Sequence, residues 1–215
     1  DRHRSKEGRF DVVVPCSGGK DSTRVAHLLK YRYDMHPLSV TWAPHIYTEI
    51  GWTNLQAMIH SGFDNILVTP NGKVHRIMTR LAFELIGDPF QPFIYGQMAQ
   101  PFQVACKYKI PLIFYGENGE AEYGGLKSDE DLSGPPMETF GQRYFSGVMA
   151  DVFADYGISK TDLQLYRMPS VENIMEAGVQ MKWLGYYHKW VPQENYYYAS
   201  EHAGFQANPD GRSEG

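Results

Sequence analysis

The chain has 215 residues, 42% hydrophobic and 21% charged, with a formal net charge of -5; this suits one soluble globular domain with a sizeable core and excludes a disordered or fibrous chain. The negative balance argues against a nucleic-acid partner, whose phosphates call for Lys and Arg, and there is neither an apolar run long enough for a membrane span nor a signal peptide. Two distant cysteines, Cys16 and Cys106, make neither a metal site nor a disulfide framework and suit a reducing cytoplasm.

Residues 1–9 are charged and read as frayed. Asp11 to Pro15 is a short β-branched run, the pattern of a buried strand. It breaks into Ser17-Gly18-Gly19-Lys20-Asp21-Ser22, after which Val25, Leu28 and Leu29 recur at helical spacing, predicting a helix to about Tyr33. Pro37 to Trp42 predicts a second strand. Asn54 is placed to cap a helix with Leu55, Met58 and Ile59 on its inner face and Gly62 as its stop. Asn65 to Thr69 predicts a third strand. Val74, Ile77, Met78, Leu81 and Leu85 then line a helix ending at Gly87. A further helix runs to about Tyr108, with Pro101 near its start or kinking it. Leu112 to Tyr115 predicts a fourth strand. Residues 126–140 read as a mobile loop or lid. Phe145, Val148, Met149, Val152, Phe153 and Tyr156 form a helix stripe stopped by Gly157, and Leu163 to Tyr166 suggests a fifth strand. Trp183, Tyr186, Tyr187, Trp190, Tyr196, Tyr197 and Tyr198 crowd the C-terminal part and read as packing or interface. Strands alternating with amphipathic helices predict an α/β fold, a Rossmann-like doubly wound parallel sheet. The division expected is 10–170 as the nucleotide domain and 171–215 as an aromatic-rich helical extension. Both termini are polar and read as those of a piece of a longer chain.

The stretch from Asp11 to Ser22 carries the first chemistry. A tight loop feeding a helix turns backbone N–H groups toward one point, where the helix adds about half a positive charge. Gly18 and Gly19 let the backbone approach a ligand closely. Ser17 and Ser22 add hydroxyls and Lys20 a cation. Asp21 fits beside phosphate only with a cation between them, or as a helix cap. A Gly-Gly turn capped by Asp21 or Ser22 is the plain alternative. GxxxxGK[ST] is absent.

In parallel sheets ligands sit beyond the carboxyl ends of the strands. The second strand ends at Thr41-Trp42, whose backbone could bond an adenine edge with the indole beside it, or the indole could pack in the core. The fourth ends in Gly116-Glu117-Asn118-Gly119-Glu120-Ala121-Glu122-Tyr123-Gly124-Gly125. Gly116 permits close approach, while Glu117, Glu120 and Glu122 could hold magnesium among phosphate oxygens. A solvated acidic loop is the alternative.

The hexapeptide resembles SGGxDS, the pyrophosphate loop of the ATP-pyrophosphatase families, which cleave ATP to AMP and pyrophosphate. Three segments are similar to the N-acetyl sugar amidotransferases of bacterial surface-polysaccharide biosynthesis: CSGGKDS at 16–22, LIFYGENGEAEYGG at 112–125 and YYHKWVPQENYYYASEHAGF at 186–205. The chain lacks that family's cysteine-rich opening segment and stops short of its usual end. The resemblance implies an adenine nucleotide alpha hydrolase type of sheet in a cytoplasmic enzyme. ATP would be bound by Ser17, Gly18, Gly19, Lys20, Asp21, Ser22, Thr41, Trp42, Gly116 and Asn118. Asp21, Lys20 and Glu117 would be catalytic, with Asp21 and Glu117 as magnesium ligands, and Glu120, Glu122 and Tyr123 would meet an acetamido sugar. It further implies lipopolysaccharide O-antigen or sialic-acid-like sugars as the setting.

An amide carbonyl becomes replaceable once its oxygen attacks the α-phosphorus of ATP; ammonia then displaces AMP and an amidine results. Cys16, beside the phosphate loop, and Cys106, within a helix, are both poorly suited to glutaminase chemistry. A separate glutaminase subunit supplying ammonia is therefore expected, with a cyclase-like protein as a third partner and self-association open. The competing readings are a tRNA sulfurtransferase using the same adenylation, and a regulatory module that holds ATP or AMP without chemistry.

Overall fold

The computed structural model describes residues 2–116, 133–135, 137, 145 and 147–209. Five parallel strands form one sheet in the order β3-β2-β1-β4-β5, namely β1 (Val12–Pro15), β2 (Pro37–Trp42), β3 (Asp64–Val68), β4 (Leu112–Tyr115) and β5 (Gln180–Trp183). The helices are α1 (Lys20–His27, continued by a π turn over Leu28–Arg32), α2 (Glu49–His60), α3 (Gly72–Ile86), α4 (Gln91–Tyr108), α5 (Val171–Glu176), α6 (Leu184–Tyr187) and α7 (Pro192–Ala203). The architecture is α/β and Rossmann-like. Among the described residues no helix is long and apolar enough to cross a membrane.

The alternation of a strand sorts its side chains into two layers. Val13, Leu38, Val40, Trp42 and Ile113 face one core, filled by Met78, Tyr95, Phe102, Phe145, Phe153 and Tyr166. Val12, Val14 and Leu112 face the other, filled by Val25, Leu28, Leu29, Leu55 and Met58. Both faces of the sheet are thus covered, as parallel strands require. On β2 the second face is polar: Asn65 Nδ2 donates to the hydroxyls of Ser39 and Thr41, both at 2.9 Å, and Thr41 Oγ1 donates to the Cys16 carbonyl at 2.5 Å. Strand order reverses beside β1. The chain steps outward through β2 and β3, then returns to lay β4 against the other side of β1. That reversal opens a crevice at the carboxyl ends of β1 and β4.

Several expectations need correction. Leu163 to Tyr166 is no strand; Gln164–Tyr166 is a single 3-10 turn. Its carbonyls find partners on α4 instead of in a ladder: Gln100 Nε2 donates to Leu165 O at 2.6 Å and Gln103 Nε2 to Gln164 O at 2.8 Å. The fifth strand is β5, whose Met181 and Trp183 are buried between polar neighbours. Asn54 does not cap α2 but lies buried inside it; Thr48 is the cap, its hydroxyl accepting from Gly51 N at 3.0 Å. The Asn54 amide instead holds the backbone of Gln206, donating to its carbonyl and accepting from its N–H, both at 2.9 Å. On α3 the buried residues are His75, Met78 and Ala82, while Ile77 and Leu85 are exposed. The stripe around Phe153 forms a shorter 3-10 helix, Ala150–Tyr156, closed by Gly157 in the left-handed conformation. Most of the expected lid, 126–140, lies outside the described residues. Pro101 sits inside α4.

Helix α4 crosses β2 at Gly96. A Cβ there would lie 2.1 Å from Trp42 Cε2, and the indole is itself buried. Gly96→Ala should gain about 1 kcal/mol of helix propensity yet lose more to the clash, for a net destabilisation of about 2 kcal/mol. A thermal midpoint lowered by several degrees is the expected readout; an unchanged midpoint would show that the indole yields.

Candidate active site

The cleft at the reversal has a volume of about 340 Å³. One wall is the loop after β1, with Cys16, Ser17, Gly19, Asp21 and Ser22; the other is α4 and the end of β4, with Phe93, Gln97, Gln100, Pro101, Tyr115 and Gly116; Trp42 lies between. Cys16 extends the β ladder through its N–H to Val40 O at 2.9 Å. Gly18 then takes φ +85, and a Cβ at this position would lie 2.5 Å from Leu55 Cα. The loop therefore rests directly on α2, an approach open to glycine alone. Gly19 is the N-cap of α1 and no side chain caps the helix. The first amides of α1 are left without a side-chain acceptor, which is the arrangement an anion fills.

Asp21 does not cap α1. Its Oδ2 accepts from Lys20 Nζ at 2.8 Å and its Oδ1 from Asn195 Nδ2 at 2.6 Å. Nor does Ser22 cap it; the Ser22 hydroxyl donates back to Gly19 O at 3.3 Å and lies 3.3 Å from Cys16 Sγ. Cys16 is buried, and burial pushes its thiol pKa up; Cys106 is shifted the same way by the same cause. Neither is an activated nucleophile.

The expected site residues separate into three groups. Ser17, Gly19, Asp21, Ser22, Trp42 and Gly116 come together around the cleft, with Gly18 and Lys20 in the same loop. Thr41 does not line the cleft; it is buried behind it, its hydroxyl committed to Cys16 and Asn65. Glu117, Asn118, Glu120, Glu122 and Tyr123 lie outside the described residues. Trp42 turns out to be both core residue and cleft wall, with His75 and Tyr166 behind it at ring-centroid distances of 6.3 and 5.4 Å.

Residues that sequence reasoning missed come from far along the chain. Asn195, fully buried on α7, reaches Asp21, and its Oδ1 accepts from Arg24 of α1. Trp190 presses on Gly116, where a Cβ would come 2.7 Å from its ring. Gln97 and Gln100 give the α4 wall its polarity without charge. The aromatic run around Asn195 was the one available pointer.

The sequence matches no family model and no curated protein. Among solved structures, the chain is similar to a predicted subunit of a tRNA methyltransferase from Methanocaldococcus jannaschii, with a TM-score of 0.41 and 14% identity, covering 88% of this chain and 75% of that one. A likeness this distant speaks to neither activity nor substrate.

Behind the cleft, His75 is a buried titratable group. Its Nδ1 lies 2.8 Å from the Tyr166 hydroxyl, and its Nε2 has no partner among the described residues. Burial first, and the neighbouring His45 second, lower its pKa from 6.5 to about 4. The folded group stays neutral where the unfolded one gains a proton, so its contribution to stability is present above pH 6.5 and is lost as pH falls toward 4. Denaturant titrations between these limits should show stability falling with pH. His75→Asn, which retains a partner for the Tyr166 hydroxyl, should flatten that slope; an unaltered slope would assign it elsewhere.

Proposed function

We propose that the chain is an ATP-dependent enzyme that adenylates the carbonyl oxygen of an N-acetyl group on a bacterial surface sugar and replaces it with ammonia. The observation that carries the nucleotide part is the uncapped start of α1, reached through a glycine loop pinned on α2, opening into a cleft at the reversal of strand order. Anions are favoured at such a point by unsatisfied amides and the helix dipole. The sugar part is supported by the resemblance of the segments at 16–22, 112–125 and 186–205 to N-acetyl sugar amidotransferases. The tRNA sulfurtransferase alternative is less favoured by the net charge of -5.

In this reading the loop amides, Ser17 and Ser22 hold the departing pyrophosphate. Lys20 exchanges its contact with Asp21 for phosphate. The amide oxygen attacks the α-phosphorus, breaking the bond to the bridging oxygen, and pyrophosphate leaves with that electron pair. Ammonia adds to the resulting imidate carbon, loses protons to solvent, and AMP departs with the original oxygen. The acetamido group suits the uncharged face of Phe93, Gln97 and Tyr115. These are positioning and electrostatic tasks, with no side-chain nucleophile needed.

A magnesium ion would supply charge neutralisation among the phosphates. Asp21 is the carboxylate that lines the cleft among the described residues, and both its oxygens already accept from nitrogen donors. It fits as a ligand only once Lys20 has turned away; Glu117, the other proposed ligand, lies outside the described residues. The raised thiol pKa values of Cys16 and Cys106 favour ammonia from a separate glutaminase subunit, with a cyclase-like protein as a further partner. A cytoplasmic setting follows from the need for ATP.

The test is pyrophosphate release with ATP, magnesium and ammonium across a panel of acetamido sugars. Turnover dependent on both sugar and ammonium is expected. Release with tRNA in place of sugar would favour the sulfurtransferase, and bound AMP without release the regulatory module. Ser17→Ala and Asp21→Asn should each lower turnover by roughly tenfold or more with the melting temperature nearly unchanged. A collapsed melting temperature would make either residue structural.

A further inference from the structure

We propose that Asn195, from the C-terminal helix α7, is the positioning residue that holds Asp21 in place beside the phosphate loop. This rests on the nucleotide reading of the cleft. Asn195 is fully buried and stands 174 residues from Asp21 in sequence. A buried amide needs partners for both of its ends. Here the two ends face opposite charges. Oδ1 accepts from the Arg24 guanidinium, and Nδ2 donates to Asp21 Oδ1 at 2.6 Å. The amide orientation is determined by these neighbours, since Arg offers only donors and Asp only acceptors.

Asp21 has two anchors, Lys20 on one oxygen and Asn195 on the other. Lys20 is the anchor that an incoming phosphate competes for. Asn195 carries no net charge and is buried, so phosphate does not draw it away. Asp21 thus keeps its place while Lys20 turns to the ligand, instead of swinging over the open amides of α1. Helix α7 is in turn seated on α1 by contacts remote from the loop: the Tyr198 hydroxyl lies 2.8 Å from His27 Nδ1 and His202 stacks on His27 at 5.2 Å. Seating and positioning are therefore separable.

Asn195→Asp separates them. The side chain keeps its shape and still accepts from Arg24, so α7 stays docked, but Asp21 loses its donor and gains a neighbouring carboxylate. Calorimetric titration of the full chain with inorganic pyrophosphate, ATP and adenosine reads the effect. The expected result is pyrophosphate and ATP binding about tenfold weaker, the scale of one charge-assisted hydrogen bond, with adenosine binding changed by less than about twofold. Should that variant not fold, Asn195→Ala is compared with Tyr198→Phe, which loosens the same helix without touching Asp21; only the former should weaken pyrophosphate binding. Pyrophosphate binding at the wild-type level in Asn195→Asp, equal losses for pyrophosphate and adenosine, or equal losses in Asn195→Ala and Tyr198→Phe would each overturn the proposal. Wild-type protein that binds neither ATP nor pyrophosphate would instead remove the nucleotide reading, and the positioning role with it.

Discussion

The backbone of Gly18 lies against Leu55, and the geometry of the cleft follows from that approach. With φ at +85 and room for no Cβ, the chain after β1 cannot relax into an ordinary turn. It passes over α2, reaches Gly19 in an extended conformation and enters α1 with no side chain over the helix start. Leu55 is fully buried in the core beneath the loop. The crossover between β2 and β3 thus supports the loop that precedes β2. A rigid support of this kind presents backbone dipoles without a reorganisation cost when a ligand binds.

The two walls of the cleft differ in chemistry. The loop wall is backbone-rich and carries the Asp21 carboxylate, which accepts from Lys20 of the same loop. The α4 wall is neutral, with Phe93, Gln97, Gln100 and Tyr115. Trp42 joins them, its ring seated over Gly96. An anionic group and an uncharged carbonyl would each find a suitable side, which is the division that adenylation of an amide requires. The C-terminal layer completes the loop wall from behind. Trp190 and Val25 both close on Gly116, and Asn195 of α7 reaches Asp21 on α1.

Much of this was legible in the chain order. Val12 to Pro15, Pro37 to Trp42 and Leu112 to Tyr115 are apolar runs bounded by glycine, proline or polar breaks, and each forms a strand. Gly87 and Gly157 close their helices in the left-handed conformation, as glycine at such positions signals. The loop from Ser17 to Ser22 stands where the strand-to-helix pattern put it. Failures cluster where a side chain had two possible partners. Asn54 reads as a cap because Asn often caps, yet its amide is taken by Gln206. Leu163 to Tyr166 reads as a strand because a short apolar run has no decisive period, yet glutamines on α4 take its carbonyls.

What the sequence determined by itself was local: the strand, the glycine turn, the helix that follows, and hence a parallel α/β sheet. These are encoded in residues within a few positions of one another, through side-chain period and the steric freedom of glycine. Tertiary structure alone decided which residues share the cleft, that β5 is Gln180–Trp183, and that Asp21 is held by Asn195. The reason is physical. A buried amide bonds whatever packing brings within reach, and the seating of α7 on α1 is set by the two faces together, not by the spacing along either.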